Sequence, residues 1–196
     1  MSFLSFPLTT SEDLLWAQWD KTPLKVTDKE GEDIILVHNL PDEKRDSWPF
    51  ICRVRGKVDS EQLFCGVLGD SSTDVPDPNA CYSFLLGPSD DLDRAATFAD
   101  FVVGLEHRGS VDRRLSTVLI RADGVERLCF LLPMKDMFGN PGPLFVYDQE
   151  GCVIPREYVN ERINGIDVDV SFFLLLEPSS AGYNIFGIIN RVEIVG

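Results

Sequence analysis

Two arginines placed two residues apart, Arg53 and Arg55, alternate with Cys52 and Val54 in the run FICRVRGKV. On an extended chain, side chains i and i+2 share a face. Ile51, Arg53 and Arg55 then project to one side, and Trp48, Phe50, Cys52 and Val54 to the other. A second pair, Arg121 and Arg127, flanks an Asp123-Gly124 turn, and Arg113 and Arg114 lead into the same segment. Guanidinium groups carried on strands neutralise phosphates. Aromatic rings at strand ends stack on bases, at roughly 1–3 kcal/mol per base. Trp48 and Phe138 are the stacking candidates, with Tyr147, Tyr158 and Tyr183 as further rings at strand ends or in loops. Trp48 comes beside Arg53 only if the chain bends at Pro49. Arg53, Arg55, Arg113, Arg114, Arg121, Arg127, Trp48 and Phe138 together have the makings of a groove for single-stranded nucleic acid. Cations would track the backbone while rings hold the bases.

Residues for bond-making chemistry are sparse. The two histidines, His38 and His107, have no cysteine or carboxylate at metal-ligand spacing, and no Cys-x-x-Cys is present. Glycine-rich phosphate loops and the Gly-x-Ser-x-Gly elbow are missing as well. Asp167 and Asp169 project to one face of a strand, as an acid pair presented to a metal or a sugar would. The plainer reading makes them the solvent face of an edge strand. The chain is therefore expected to be non-enzymatic and to need no cofactor or metal.

The charge balance argues both ways. The net charge is -14, which disfavours indiscriminate binding to DNA or anionic membranes. Residues 1–100 carry 9 basic and 19 acidic side chains, and residues 101–196 carry 9 and 13. Two stretches reverse the sign. From Lys44 to Lys57, Lys44, Arg45, Arg53, Arg55 and Lys57 face only Asp46. From Arg108 to Lys135, Arg108, Arg113, Arg114, Arg121, Arg127 and Lys135 face Asp112, Asp123 and Glu126. Such stretches are either local basic patches or solvated faces paired with the acidic excess. Five widely spaced cysteines (Cys52, Cys65, Cys81, Cys129, Cys152), most in apolar runs, suit reduced and buried thiols. No apolar run approaches a membrane span, the first residues lack the basic and apolar regions of a signal peptide, and no Asn-x-Ser/Thr site occurs. An intracellular protein, cytoplasmic or nuclear and not secreted, is the expectation.

The elements that must position these residues read as β-structure. Ile166 to Phe172 alternates apolar and polar strictly, as a strand with one buried face requires. A Pro-Ser-Ser-Ala-Gly turn joins this run to YNIFGIINRVEIVG, giving a long final hairpin. Further hairpins are expected from LKVTD (24–28) with EDIILVH (32–38), from FICRVRGKV (50–58) with QLFCGVLG (62–69) turned at Asp59-Ser60-Glu61, and from LSTVLIRA (115–122) with ERLCFLLP (126–133). CYSFLLG (81–87) adds a strand. Ser11 caps a short helix that Pro23 limits, Ser89 or Asp90 caps a longer one ending near Gly104 or Gly109, and a short helix starts at Pro155. The fold class is mostly β: an antiparallel OB-like barrel or sandwich with one or two short helices packed on it. Residues 1–196 form a single β-rich domain. The echo of Leu24-x-Val26-x-Asp28-x-Glu30-Gly31 in Leu144-x-Val146-x-Asp148-x-Glu150-Gly151 raises the option of two duplicated modules, 20–87 and 140–196.

From Leu144 to Val195 the chain resembles the end of oligonucleotide-binding (OB) β-barrel proteins of the phage and replication single-stranded-DNA-binding kind. The shared features are a strand, a turn from Asp148 to Gly151, a short helical piece, Asn164-Gly165 before a long strand, and a final strand ending Val192 to Val195. The resemblance covers about a quarter of the chain and carries over no individual residue. It implies a sequence-tolerant binder of single-stranded nucleic acid. The alternative is a protein-interaction or assembly module. Its acidic surface would meet a basic partner, and an exposed C-terminal strand would extend a neighbour's sheet, including that of a second copy.

Overall fold

The alternation at 166–172 opens onto a strand that runs on to Ser179. A computed structural model of the chain describes residues 17–22, 33–38, 49–65, 81–86, 119–122, 125–133, 144–179 and 182–196. Their strands are β1 (Ala17–Thr22), β2 (Asp33–His38), β3 (Cys52–Phe64), β4 (Cys81–Leu86), β5 (Leu119–Ala122), β6 (Val125–Pro133), β7 (Val146–Tyr147), β8 (Asp167–Ser179) and β9 (Gly182–Ile194). A single 3-10 turn (Arg156–Tyr158) runs into helix α1 (Val159–Ile163) between β7 and β8.

All nine strands join in one mixed sheet. Its ladders form a circuit: β3 pairs with β4, β4 with β6, β6 with β9, β9 with β8, and β8 returns to β3. Two joints of this circuit are weak. The β6–β9 leg is parallel and holds only Phe130 opposite Gly187 and Leu131 opposite Ile188. The β3–β4 leg shifts register between Val58 and Leu63. The mostly β, OB-like class expected from the sequence stands; the sheet is mixed rather than wholly antiparallel, and these two joints leave it short of a continuous barrel. The β1–β2 hairpin extends the sheet beyond the circuit, with Ile34 and Ile35 opposite Leu176 and Leu175 of β8.

The core follows from the alternation. Val168, Val170, Phe172, Leu174 and Leu176 of β8 are buried together with Cys52, Val54 and Val58 of β3, Phe84 and Leu86 of β4, and Ile189 and Val192 of β9. Each such side chain contributes roughly 1.5–3 kcal/mol by leaving water. Val159 and Ile163, one turn apart on α1, are fully buried in the same cluster. The Asn160 carboxamide oxygen accepts the Cys65 N–H at 2.8 Å and ties the helix to the end of β3. On the opposite side of the sheet, Ile35, Val37, Leu175 and Ile188 form a smaller cluster against Phe173.

Gly56 lets β4 come close to β3: a Cβ there would lie 3.1 Å from Leu86 Cδ1 and 3.2 Å from its Cβ. Gly56→Val is expected to force Leu86 aside and to destabilise the fold by about 1–3 kcal/mol in urea unfolding. A loss below about 0.5 kcal/mol would show that Leu86 yields freely.

Several expectations change. Ala17–Thr22, before Pro23, is strand, while residues 1–16, where the short helix is expected to start, lie outside the described residues. β2 pairs with β1, Trp19 lying opposite Leu36; LKVTD (24–28) and the first copy of the internal echo lie outside the described residues. Asp59-Ser60-Glu61 is not a turn. β3 continues through it to Phe64, and the polar run is absorbed by the register shift against β4. The helix expected from Ser89 onward falls outside the described residues. The Asp-Gly hairpin stands, with Ala122 opposite Val125, and so do the short helix after Pro155 and the final hairpin.

Cys52 and Cys65 are buried free thiols, whereas Cys152 is exposed. Burial pushes the Cys65 thiol up to about 12 and raises the Cys52 thiol as well. Since the thiolate is the nucleophile, iodoacetamide should label Cys152 in the native protein and reach Cys52 and Cys65 only after denaturation. Peptide mass mapping reads the difference, and native labelling of Cys65 would contradict the packing.

Candidate nucleic-acid interface

Period-two alternation on β3, β8 and β9 sends one set of side chains into the core and the other to the outer face. Across that face, Arg53 lies opposite Ser171, Arg55 opposite Asp169, and Lys57 opposite Asp167. Beyond β8, Ser171 lies opposite Arg191 and Asp169 opposite Glu193 of β9. Glu193 in turn lies opposite Tyr147 of β7. One rung therefore reads Arg55, Asp169, Glu193, Tyr147 across four strands.

A bulge places Arg191 in this set. Ser171 pairs with Arg191 but Phe172 pairs with Ile189, so Asn190 is an extra residue on β9. Without it, Ile189 and Arg191 would share a face. With it, Ile189 packs in the core while Arg191 joins Glu193 outside, as bulges re-aim side chains elsewhere.

The outer side chains form a chain of alternating charge. The Arg55 guanidinium donates from Nε to Asp169 Oδ1 at 2.7 Å and from NH2 to Oδ2 at 2.9 Å, a two-pronged fork. Arg53 NH2 donates to the same Oδ2 at 2.6 Å and to Glu193 Oε2 at 3.1 Å. Arg191 NH2 reaches Glu193 Oε1 at 2.6 Å, and its guanidinium carbon lies 4.0 Å over the Tyr147 ring. Phe145 stacks beside Tyr147, with ring centroids 6.5 Å apart and planes 24° from parallel. Burial alone would raise the Asp169 carboxyl. The fork from Arg55 and the charges of Arg53 and Arg55 more than offset it, holding Asp169 below the ordinary carboxylate value.

β7 is held for this role by a tight turn. The Cys152 N–H donates to Asp148 Oδ1 at 2.8 Å, the Gly151 N–H donates to the Asp148 carbonyl at 3.0 Å, and Gly151 takes φ 78°, where a side chain would be strained. The Val192 N–H donates to the Phe145 carbonyl at 3.0 Å and fastens β7 beside β9.

The structure separates the two arginines of β3. The Arg53 side chain is 8% exposed and is engaged with Asp169 and Glu193, whereas that of Arg55 is 45% exposed. In the β5–β6 hairpin the backbone puts Arg121 opposite Glu126 and Arg127 opposite Ile120, on different rungs. Arg113, Arg114, Trp48 and Phe138 lie outside the described residues. Asp169 is not on the solvent face of an edge strand. β8 is flanked by β3 and β2 on one edge and β9 on the other, and Asp169 is 3% exposed. β9 pairs with β8 on one side and, at Gly187–Ile188 and Val192–Glu193, with β6 and β7 on the other. Sequence reasoning missed Arg191, Glu193 and Phe145. The Arg-Val-Glu spacing of 191–193 matches that of Arg53 and Arg55, and was the available signal. Among the described residues no three His, Cys, Asp or Glu side chains gather as a metal site, and no helix is long and apolar enough to cross a membrane.

No protein-family model and no curated protein sequence matches the chain. Solved structures do match its fold. The gp2.5 single-stranded DNA-binding protein of bacteriophage T7 is 14% identical, over 76% of this chain and 87% of that one, with a TM-score of 0.51. The single-stranded DNA-binding protein of bacteriophage Enc34, in complex with single-stranded DNA, is 10% identical over 88% and 95%, with a TM-score of 0.51. A C-terminal truncation of the Enc34 protein gives 12%, 88%, 94% and 0.52. At these identities the likeness is one of fold: the chain has the OB-like architecture of phage single-stranded DNA-binding proteins.

Proposed function

We propose that the protein binds single-stranded nucleic acid and does no covalent chemistry on it. The observation that carries this reading is the shared fold with two phage single-stranded DNA-binding proteins over 76–88% of the chain. Local charge supports it. Arg55 and Lys57 leave β3 at exposed positions on a molecule of net charge -14. Arg121 and Arg127 on the β5–β6 hairpin, with Arg113 and Arg114 before it, supply further cations, and Trp48 and Phe138 are the proposed stacking rings. Arg53 contributes by sharing Asp169 with Arg55, and so sets the direction of the exposed guanidinium. Binding proceeds by release of counterions from the strand and by stacking, with little preference for sequence. Fluorescence anisotropy of a labelled oligothymidine at about 50 mM salt tests it. Saturable binding that weakens with salt is expected, and no binding at that ionic strength would refute the proposal.

A further inference from the structure

The outer face of the sheet ends, on the β7 side, in an arrangement that the basic stretches of the sequence do not indicate. Phe145 is a large apolar side chain left 42% exposed. Its ring lies beside that of Tyr147, and the Arg191 guanidinium covers Tyr147 at 4.0 Å. Val146, between the two rings, is fully buried in the core, so Phe145 and Tyr147 point together to the outer face. Arg191 is held from two sides, by Glu193 at 2.6 Å and by the Tyr147 ring. This stack is continuous with Arg55, because Asp169, Arg53 and Glu193 link the two guanidinium groups by ion pairs. From β3 to β7 is three strand spacings, about 14 Å.

We infer that Phe145, Tyr147 and Arg191 form a base-stacking subsite for one unpaired nucleobase, on the same strip as Arg55. The inference rests on the proposed nucleic-acid function and adds a subsite to it. The exposed Phe145 ring receives the face of the base. Arg191 keeps the Tyr147 ring in register and places a positive charge where the attached phosphate passes. Arg55, across the strip, neutralises a neighbouring phosphate. An exposed ring whose partner is already locked loses little freedom when a base settles on it, which favours stacking here over a ring on a mobile loop. Every base has a flat face, so the subsite is indifferent to sequence.

The test compares wild type, Phe145→Ala and Phe145→Leu in anisotropy titrations with two probes, a labelled oligothymidine and an abasic oligonucleotide of the same length. Both variants should weaken oligothymidine binding by about tenfold and leave the slope of affinity against salt unchanged, because no charge is removed. On the abasic probe the variants and wild type should bind alike. Phe145→Leu keeps the apolar contact and loses the ring, so it guards against a folding defect, and thermal melts confirm that each variant is folded. If wild type binds oligothymidine and both folded variants bind it equally well, the subsite is wrong while nucleic-acid binding stands. If wild type binds neither probe at low salt, the underlying function is wrong and the subsite falls with it.

Discussion

Asp169→Asn is expected to destabilise the protein by about 3 kcal/mol, the lower end of the range for breaking a buried ion pair. Asparagine keeps the shape of the side chain and discards its charge. Arg53, 8% exposed, would keep Glu193 but lose its 2.6 Å carboxylate partner, and the fork that orients Arg55 would lose its anion. Removing one partner of a buried pair is costly because the remaining charge has no water to replace it. For a chain of this size the loss corresponds to a fall of roughly 6–12 °C in melting temperature.

The pH dependence has a definite sign. The folded Asp169 carboxyl sits below its unfolded value of about 3.9. Its contribution is therefore complete above the unfolded value and is lost as pH falls through the folded one. Wild type should lose stability on acidification in that window. Asp169→Asn should start lower and decline less there. Urea unfolding from neutral pH down to about pH 3 measures both. Parallel curves for the two proteins would mean that Asp169 is not the group responsible.

Oligonucleotide affinity should fall about 50-fold between 50 and 200 mM salt if the strip neutralises about four phosphates. For single strands the logarithmic slope is close to -0.7 per neutralised phosphate, which gives a slope near -3. Arg55→Gln should lower affinity and make the slope shallower by about 0.7, since it removes one exposed cation. Arg53→Gln should act differently. Arg53 is buried between two carboxylates, so its loss leaves Asp169 and Glu193 short of a partner and registers first in stability. Titrations at four or five salt concentrations separate these effects. A flat salt dependence would leave no role for the cationic strip.

Much of this architecture was legible from local pattern. The alternation from Ile166 to Phe172 announced β8 and told which side chains enter the core. The same rule placed Cys52 and Val54 inward and Arg53 and Arg55 outward, as found. Asp123-Gly124 announced the β5–β6 hairpin, and Asn164-Gly165 the sharp step from α1 into β8, where Gly165 adopts φ 67°. The misreadings share a cause. Asp59-Ser60-Glu61 has turn composition, yet a strand carries it, because pairing with β4 can shift register around polar residues. Asp167 and Asp169 alternate like a solvent face, yet Asp169 is enclosed because β3 and β9 bring arginine and glutamate side chains against it.

What the amino-acid order determined by itself is the class and the facing: mostly β, which residues turn inward, which turn outward, and where the clearest turns fall. These depend on backbone geometry and on the period of the side chains, both local. Tertiary structure alone decided which outward residues meet. Arg53 and Asp169 are separated by 116 positions and Arg53 and Glu193 by 140, and they touch because β8 lies between β3 and β9. Asn190 adds one residue to β9 and thereby turns Arg191 toward Tyr147. Strand order and register are set by the summed burial of the whole sheet, so the ion-pair chain and the aromatic stack at its end exist only once that sheet has assembled.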